Sequence, residues 1–398
     1  YQLSFENMLQ DIPTSPQNVT LLGRSDGKGV DLVITGDGFK LDQIGTFHTA
    51  AQNFVNYMFD YSDNISKHKS GWNVHRLDAI SNTDCIDNVR SENSACFRES
   101  AYGSYYWCGG TERGLCADGK LVRNKVSSVF PQYDTILVLV NSTKYGGIAA
   151  GYSTASMHAQ SASVALHELG HSFAGLADEY DYGTCNNSTE PSAPNVTINT
   201  DNSTVKWKHW FDDPNVGMFE GGKYCETGVW RPTETSIMRN LGQPFYPVNQ
   251  EAWSMAVYEA LTTTYYSKTP SSSSVSHAQG STLNYSIELA MDNSSQQVDW
   301  YVDNVSTQVN STSFTCCDDK SANYIVSAKI WDNTGTIRKD NSTSSSTINW
   351  SVNLECRGKN EIYFKSSVNA AKIAAVSYTH LRAHETRHDL VCRLLLEK

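Results

Sequence analysis

The run YDTILVLV (Tyr133–Val140) constrains this chain more than any other stretch. Its last six residues are apolar or β-branched without alternation, so a strand made from them shows no polar face. Such a strand belongs in a sheet covered on both sides. GVDLVIT (Gly29–Thr35) is a second apolar run, stopped by the turn signal Gly36-Asp-Gly38, and Trp72–Ile80 reads as a third strand. Between them, Ile44, Phe47, Ala51, Phe54 and Met58 recur at helical spacing, which predicts a helix over Asp42–Asp60. Strands alternating with helices indicate an α/β layer. Pro247–Tyr266 has helical spacing again and reads as a closing helix.

The pattern changes after residue 266. Ser267–Ser276 is polar and Ser-rich, and is expected to be a linker over 267–277. Beyond it, Tyr285–Leu289, Val298–Val302, Tyr324–Trp331 and Thr347–Val352 alternate apolar with polar residues, predicting an immunoglobulin-like β-sandwich over 278–375. A binding or spacer role is its default reading. Residues 1–27 read as an N-terminal extension, and 28–266 as one α/β domain with a mixed sheet. Residues 376–398 resemble a translated sequencing adapter and are set aside, with the tempting triad His380, His384 and His388. The chain is therefore expected to be a mature form or a fragment.

A net charge of −11 with no Lys/Arg cluster excludes a nucleic-acid partner, and no apolar run is long enough to span a membrane. The cysteines group as Cys85, Cys96, Cys108 and Cys116, then Cys185 and Cys225, then Cys316, Cys317 and Cys356. None forms a CxxC pair, so a disulfide framework in an oxidising compartment is expected. Cys85–Lys120 reads as a disulfide-stapled insertion. Glycosylation sequons at Asn18, Asn64, Asn141, Asn195, Asn202, Asn284, Asn304, Asn310 and Asn341 agree with secretion. The chain is expected to be monomeric.

The chemistry concentrates in ALHELGHSFAGLADEY (Ala165–Tyr180). On a helix, His167 and His171 lie four apart and face one ion, while Glu168 sits about 100° round, beside a metal-held water rather than on the metal. Glu168 is therefore the candidate general base. Gly175 is placed to end the helix in the left-handed region and turn the chain back. Ala177 has nothing to donate, so Asp178 is favoured as the third ligand, with Glu179 second and His158, His209 and Glu220 as distant alternatives. One zinc ion is the expected cofactor. Downstream, Ser236-Ile-Met-Arg239 is similar to the Met-turn of metzincin metalloproteases, placing Met238 beneath the ligands.

These blocks together resemble the IgA-peptidase family of secreted, metzincin-like zinc metalloendopeptidases. The resemblance spans about Val30–Leu261 and adds Tyr145-Gly-Gly147, Trp207-Lys-His-Trp210, Phe219-Glu-Gly-Gly222 and Trp230-Arg-Pro232 to the motifs above. It implies a protein or peptide substrate, His167 and His171 as zinc ligands, Glu168 as base and Met238 in the Met-turn, and it supports the Asp178–Tyr180 segment as the source of the third ligand. By analogy with metzincins, the edge strand Gly146, Gly147, Ile148, Ala149, Ala150 and Gly151 would pair with substrate backbone. Tyr180, Arg239 and Tyr246 are candidate oxyanion donors. The alternatives are a catalytically idle binding or adhesion protein on this scaffold, and a zinc hydrolase of a non-protein amide or ester.

Overall fold

The computed structural model describes residues 16–355, apart from residues 25, 61–62, 89–95, 186–188 and 340–341. The chain divides into two compact units. The first comprises residues 1–266, 289–297 and 331–346, and the second 267–288, 298–330 and 347–398. Cys356 and the adapter-like tail lie outside the described residues.

The first unit is built on a six-stranded mixed sheet. Its strands are β1 (Asn18–Leu22), β2 (Val30–Asp37), β3 (Trp72–Leu77), β4 (Thr135–Val140), β5 (Gly147–Ala149) and β6 (Ser153–Ser156), in the order β1-β3-β2-β4-β6-β5. The four central strands run parallel, and β1 and β5 close the two edges antiparallel. Helices α1 (Ile44–Asp60), α2 (Asp63–Ser66), α3 (Gly119–Ser127), α4 (Ser161–Ser172) and α5 (Tyr246–Leu261) belong to the same unit.

The absence of alternation in β2 and β4 is explained by their packing. Leu32, Ile34, Leu137 and Leu139 point into one core with Phe47, Phe54 and Met58 of α1, and with Val164, Leu166 and Leu169 of α4. Val33, Ile136, Val138 and Val140 point into a second core with Val122 and Val126 of α3. Successive side chains of a strand face opposite sides, so each strand feeds both cores.

Two boundary expectations are corrected. Residues 18–22 are not a mere extension but form β1, registered along β3 from Asn18↔Leu77 to Leu22↔Val74. Most of the expected linker is strand, β10 (Tyr265–Thr269) and β11 (Ser274–Ala278). Exposed edge strands tolerate Ser and Thr, so they carry no apolar alternation to read.

A small sheet has the order β7-β9-β8, from β7 (Asp181–Gly183), β8 (Phe219–Gly222) and β9 (Tyr224–Arg231). The remaining strands are β12 (Leu283–Leu289), β13 (Gln296–Val302), β14 (Val305–Gln308), β15 (Ser313–Cys316), β16 (Tyr324–Asp332) and β17 (Ser345–Glu355). They form a three-stranded sheet, β10-β12-β15, and a five-stranded sheet, β11-β17-β16-β13-β14. Within the second unit, Tyr285 and Phe314 from the smaller sheet meet Trp300 and Trp350 from the larger.

Candidate metal centre

Helix α4 is anchored by Val164, Ala165, Leu166 and Leu169, which are buried in the first core. This turns His167 and His171 to the other side, into a cleft of about 750 Å³. Gly175 takes φ +64°, and the N–H groups of Gly175 and Leu176 close the helix end on the carbonyls of His171 and Gly170, at 3.2 and 3.0 Å. The glycine is required there because a left-handed turn strains any residue with a Cβ.

That turn settles the proton positions on the ligand-like histidines. His171 Nδ1 lies 2.7 Å from the Leu176 carbonyl, and His167 Nδ1 lies 2.9 Å from the Ile237 carbonyl. A carbonyl only accepts, so each Nδ1 carries the hydrogen and each neutral ring presents its Nε2 lone pair. Both Nε2 atoms and Asp178 Oδ1 lie 3.1 Å from one another on all three sides. Three acceptors converging at this distance repel unless a positive charge sits among them. Four tetrahedral ligands at about 2.0–2.1 Å from a zinc ion are about 3.3 Å apart, which this triangle approaches. One proton bridges two of the three atoms at most. The residues thus fit a cation held by two imidazoles and a carboxylate.

Burial pulls the His171 imidazole down, but hydrogen bonds and charge from Asp178 more than offset it, to about 9, so a proton and a metal ion compete for its Nε2. Burial opposes ionisation of Asp178, yet the two histidines hold its carboxyl far below the usual range. A looser grouping of His167, Glu168 and His171, with donor atoms within 4.8 Å of one another, does not separate a ligand from a base. In the tighter triangle the third atom belongs to Asp178 rather than Glu168. Burial raises the Glu168 carboxyl above its ordinary value, against the opposing pull of His167 and His171. Its Oε1 stands 3.1 Å from where a Cβ on Gly147 would be, so β5 and Glu168 are in close approach.

Asp178 and Glu179 are adjacent but serve different surroundings. Asp178 Oδ2 accepts from the Tyr224 hydroxyl, and Lys223 N–H donates to the Asp178 carbonyl at 2.8 Å. Glu179 is fully buried, accepting from Asn195 (3.0 Å), Asn249 (2.9 Å) and Ser236 Oγ (2.7 Å). Through Ser236 it holds the turn carrying Ile237 and Met238. The Met238 carbonyl accepts the Glu179 N–H at 2.8 Å, and Ile237 supplies the carbonyl that orients His167. Met238 is fully buried, its Sδ 2.7 Å from an ideal Cβ at Gly170, so the glycine of HELGH leaves room for the thioether. Ala177 is paired through both backbone groups with the Asn195 side chain, at 2.8 Å each.

The structure does not bring every candidate into the cleft. His158 packs edge-on against Tyr145, His209 pairs with Glu251 at 2.6 Å, and Glu220 accepts the Gly228 N–H. Tyr246, expected as an oxyanion donor, is the first residue of α5 and does not line the cleft, whereas Tyr180 and Arg239 do. The expected edge strand shortens to Gly147–Ala149, leaving Gly146, Ala150 and Gly151 outside it, and Gly147 is also bridged by Gly114. Asn195, counted among the sequons, is fully buried and cannot carry a glycan in the folded chain. Arg113, Tyr145, Tyr182 and Tyr224 also line the cleft, and sequence reasoning missed them. The Tyr-rich character of Cys85–Lys120 and the segments around 180 and 224 is a composition signal only. Disulfides join Cys85–Cys96, Cys108–Cys116 and Cys185–Cys225.

Among the described residues no helix is long and apolar enough to cross a membrane. A comparison with curated proteins found no match. Among solved structures, a quinonprotein alcohol dehydrogenase-like protein from Bacteroides thetaiotaomicron is 17% identical over 20% of this chain and 17% of its own, with a TM-score of 0.16. This chain therefore spans less than a fifth of that one. A CARDB domain from Pyrococcus furiosus, solved with di-metal ions, is 14% identical over 21% of this chain and 86% of its own, also at 0.16. Likenesses this partial carry no argument. The family model described as IgA Peptidase M64 matches residues 21–215, a stretch that contains β2–β6, α4 and Asp178. Over that stretch the chain belongs to the IgA Peptidase M64 family.

Proposed function

We propose that this chain is a secreted zinc-dependent endopeptidase with a metzincin-like catalytic unit and an immunoglobulin-like second unit. The observation that carries the reading is the 3.1 Å triangle of His167 Nε2, His171 Nε2 and Asp178 Oδ1, with both Nδ1 hydrogens already committed. A zinc ion there would supply a Lewis acid that polarises a peptide carbonyl and acidifies a water. Two imidazoles and one carboxylate are a donor set that zinc accepts.

The chain's own groups do the rest. Glu168 takes a proton from the attacking water and returns it to the leaving amine, and burial raises its carboxyl above the ordinary value. Ile237 and Leu176 keep the two histidines in one tautomer. Tyr180, whose hydroxyl is kept protonated by burial and by nearby Asp178, and Arg239 are the remaining oxyanion candidates. The outward backbone of Ala149, at the edge of β5, is suited to pair with an extended substrate. Disulfides support an oxidising compartment.

The test is metal analysis joined to hydrolysis of a denatured protein. About one zinc per chain is expected, with Glu168→Gln losing at least about 10²-fold in activity while retaining the metal. A chain that holds zinc and cuts nothing in a broad peptide set overturns the reading.

A further inference from the structure

We infer that Arg113 is a specificity residue, and that the cleft selects peptides with an Asp or Glu side chain flanking the scissile bond. This rests on the peptidase reading above. Arg113 sits on the loop closed by the Cys108–Cys116 disulfide, and Cys108, Gly109, Thr111 and Gly114 of that loop form one wall of the cleft. The loop is pinned to the sheet where Gly147 N–H donates to the Arg113 carbonyl at 3.2 Å. The guanidinium is held in place by aromatic groups. Its Nη2 donates to the Tyr180 hydroxyl at 3.0 Å, and its carbon lies 5.3 and 5.7 Å from the Tyr180 and Tyr182 ring centres.

The charge balance leaves Arg113 over. Of the other charged groups lining the cleft, Arg239 pairs with Asp181 at 3.3 Å. Asp178 and Glu168 together carry the charge that one divalent ion offsets. Among the described residues, no carboxylate stands within 4.0 Å of the Arg113 guanidinium. A partly buried guanidinium with no carboxylate in ion-pair contact binds carboxylates strongly, through charge-assisted hydrogen bonds in a fixed fork. In a chain of net charge −11 it also gives acidic segments one local point of attraction.

The test uses the full chain loaded with zinc and matched peptides differing only in Asp, Ala or Lys beside one cleavable bond. The acidic peptide is expected to be favoured. Arg113→Ala should reduce the acidic-over-neutral ratio of kcat/KM about 10–100-fold, through KM, with partial rescue by Arg113→Lys. Arg113→Glu should move the preference towards the Lys peptide. Equal cleavage of all three peptides by the native chain overturns the inference, as does an Arg113→Ala loss confined to kcat and equal for all. Binding of the same peptides to Glu168→Gln, read by fluorescence anisotropy, gives a second measure. If the native chain cuts nothing, the peptidase reading falls. The anisotropy then decides on Arg113 alone: tighter acidic binding that Arg113→Ala removes supports it, and unchanged binding overturns it.

Discussion

Two buried histidine–carboxylate clusters in the first unit use the same residue types to opposite ends. In one, His68 Nε2 meets Asp332 Oδ2 at 2.7 Å, and the same oxygen accepts the Tyr258 hydroxyl at 3.0 Å. The other Asp332 oxygen accepts from Thr334, and Ser254 with Thr336 stands beside His68 Nδ1. Donors face acceptors throughout, so the cluster is complete as it stands. In the other, His167, His171 and Asp178 turn three acceptors on one point, because their Nδ1 hydrogens are already used. The two clusters differ in the direction of their lone pairs, not in the presence of histidine and aspartate.

The comparison breaks most directly on paired substitutions. Asp178→Ala is expected to weaken zinc binding by more than the 10–100-fold, roughly, that loss of an outer partner gives, measured by chelator competition. Asp332→Ala should leave zinc affinity in place and lower unfolding stability by about 3–5 kcal/mol, since it strands a buried histidine. Equal loss of zinc affinity in both variants would erase the distinction.

A smaller effect is expected at Gly170. Alanine there is ordinarily a better helix former by about 1 kcal/mol, but its Cβ would meet Met238 Sδ at 2.7 Å. Overpacking should win, destabilising the first unit by about 1–3 kcal/mol in denaturant unfolding. Adding Met238→Ala should recover part of the loss. A Gly170→Ala chain more stable than the native one would show that the thioether yields easily.

The smallest effect is in pH. Burial raises the Asp332 carboxyl, but His68, Thr334 and Tyr258 outweigh it, leaving it below its ordinary value of 3.8. A folded pKa below the unfolded one gives stability that is present above about 3.8 and lost as pH falls through the folded value. The stability gap between native and Asp332→Asn chains, from urea midpoints, should therefore be constant near neutrality and shrink below pH 3.8. A gap that widens in acid would reverse the assigned sign.

The parts legible in the sequence carry their signal locally. Strands β2 and β4 declared two-sided burial by lacking alternation, and α1 by its spacing. HELGH with Gly175 carried the local geometry of two rings on one helix face and a sharp stop. The rest depends on neighbours brought in by the fold. Arg113 reaches Tyr180 across 67 positions, Tyr224 reaches Asp178 across 46, and Glu179 finds Asn249 across 70. No local pattern records those meetings. Asp178 and Glu179 illustrate the limit, since two adjacent carboxylates differ only in what the surrounding chain offers each.

The bridge between Gly114 and Gly147 has a consequence for solubility. A sheet ending in a bare strand is a template on which further copies can stack. Here β5 is three residues long, and the stapled loop already occupies its first rung. What remains open beyond Gly147 is too short to nucleate a growing ribbon.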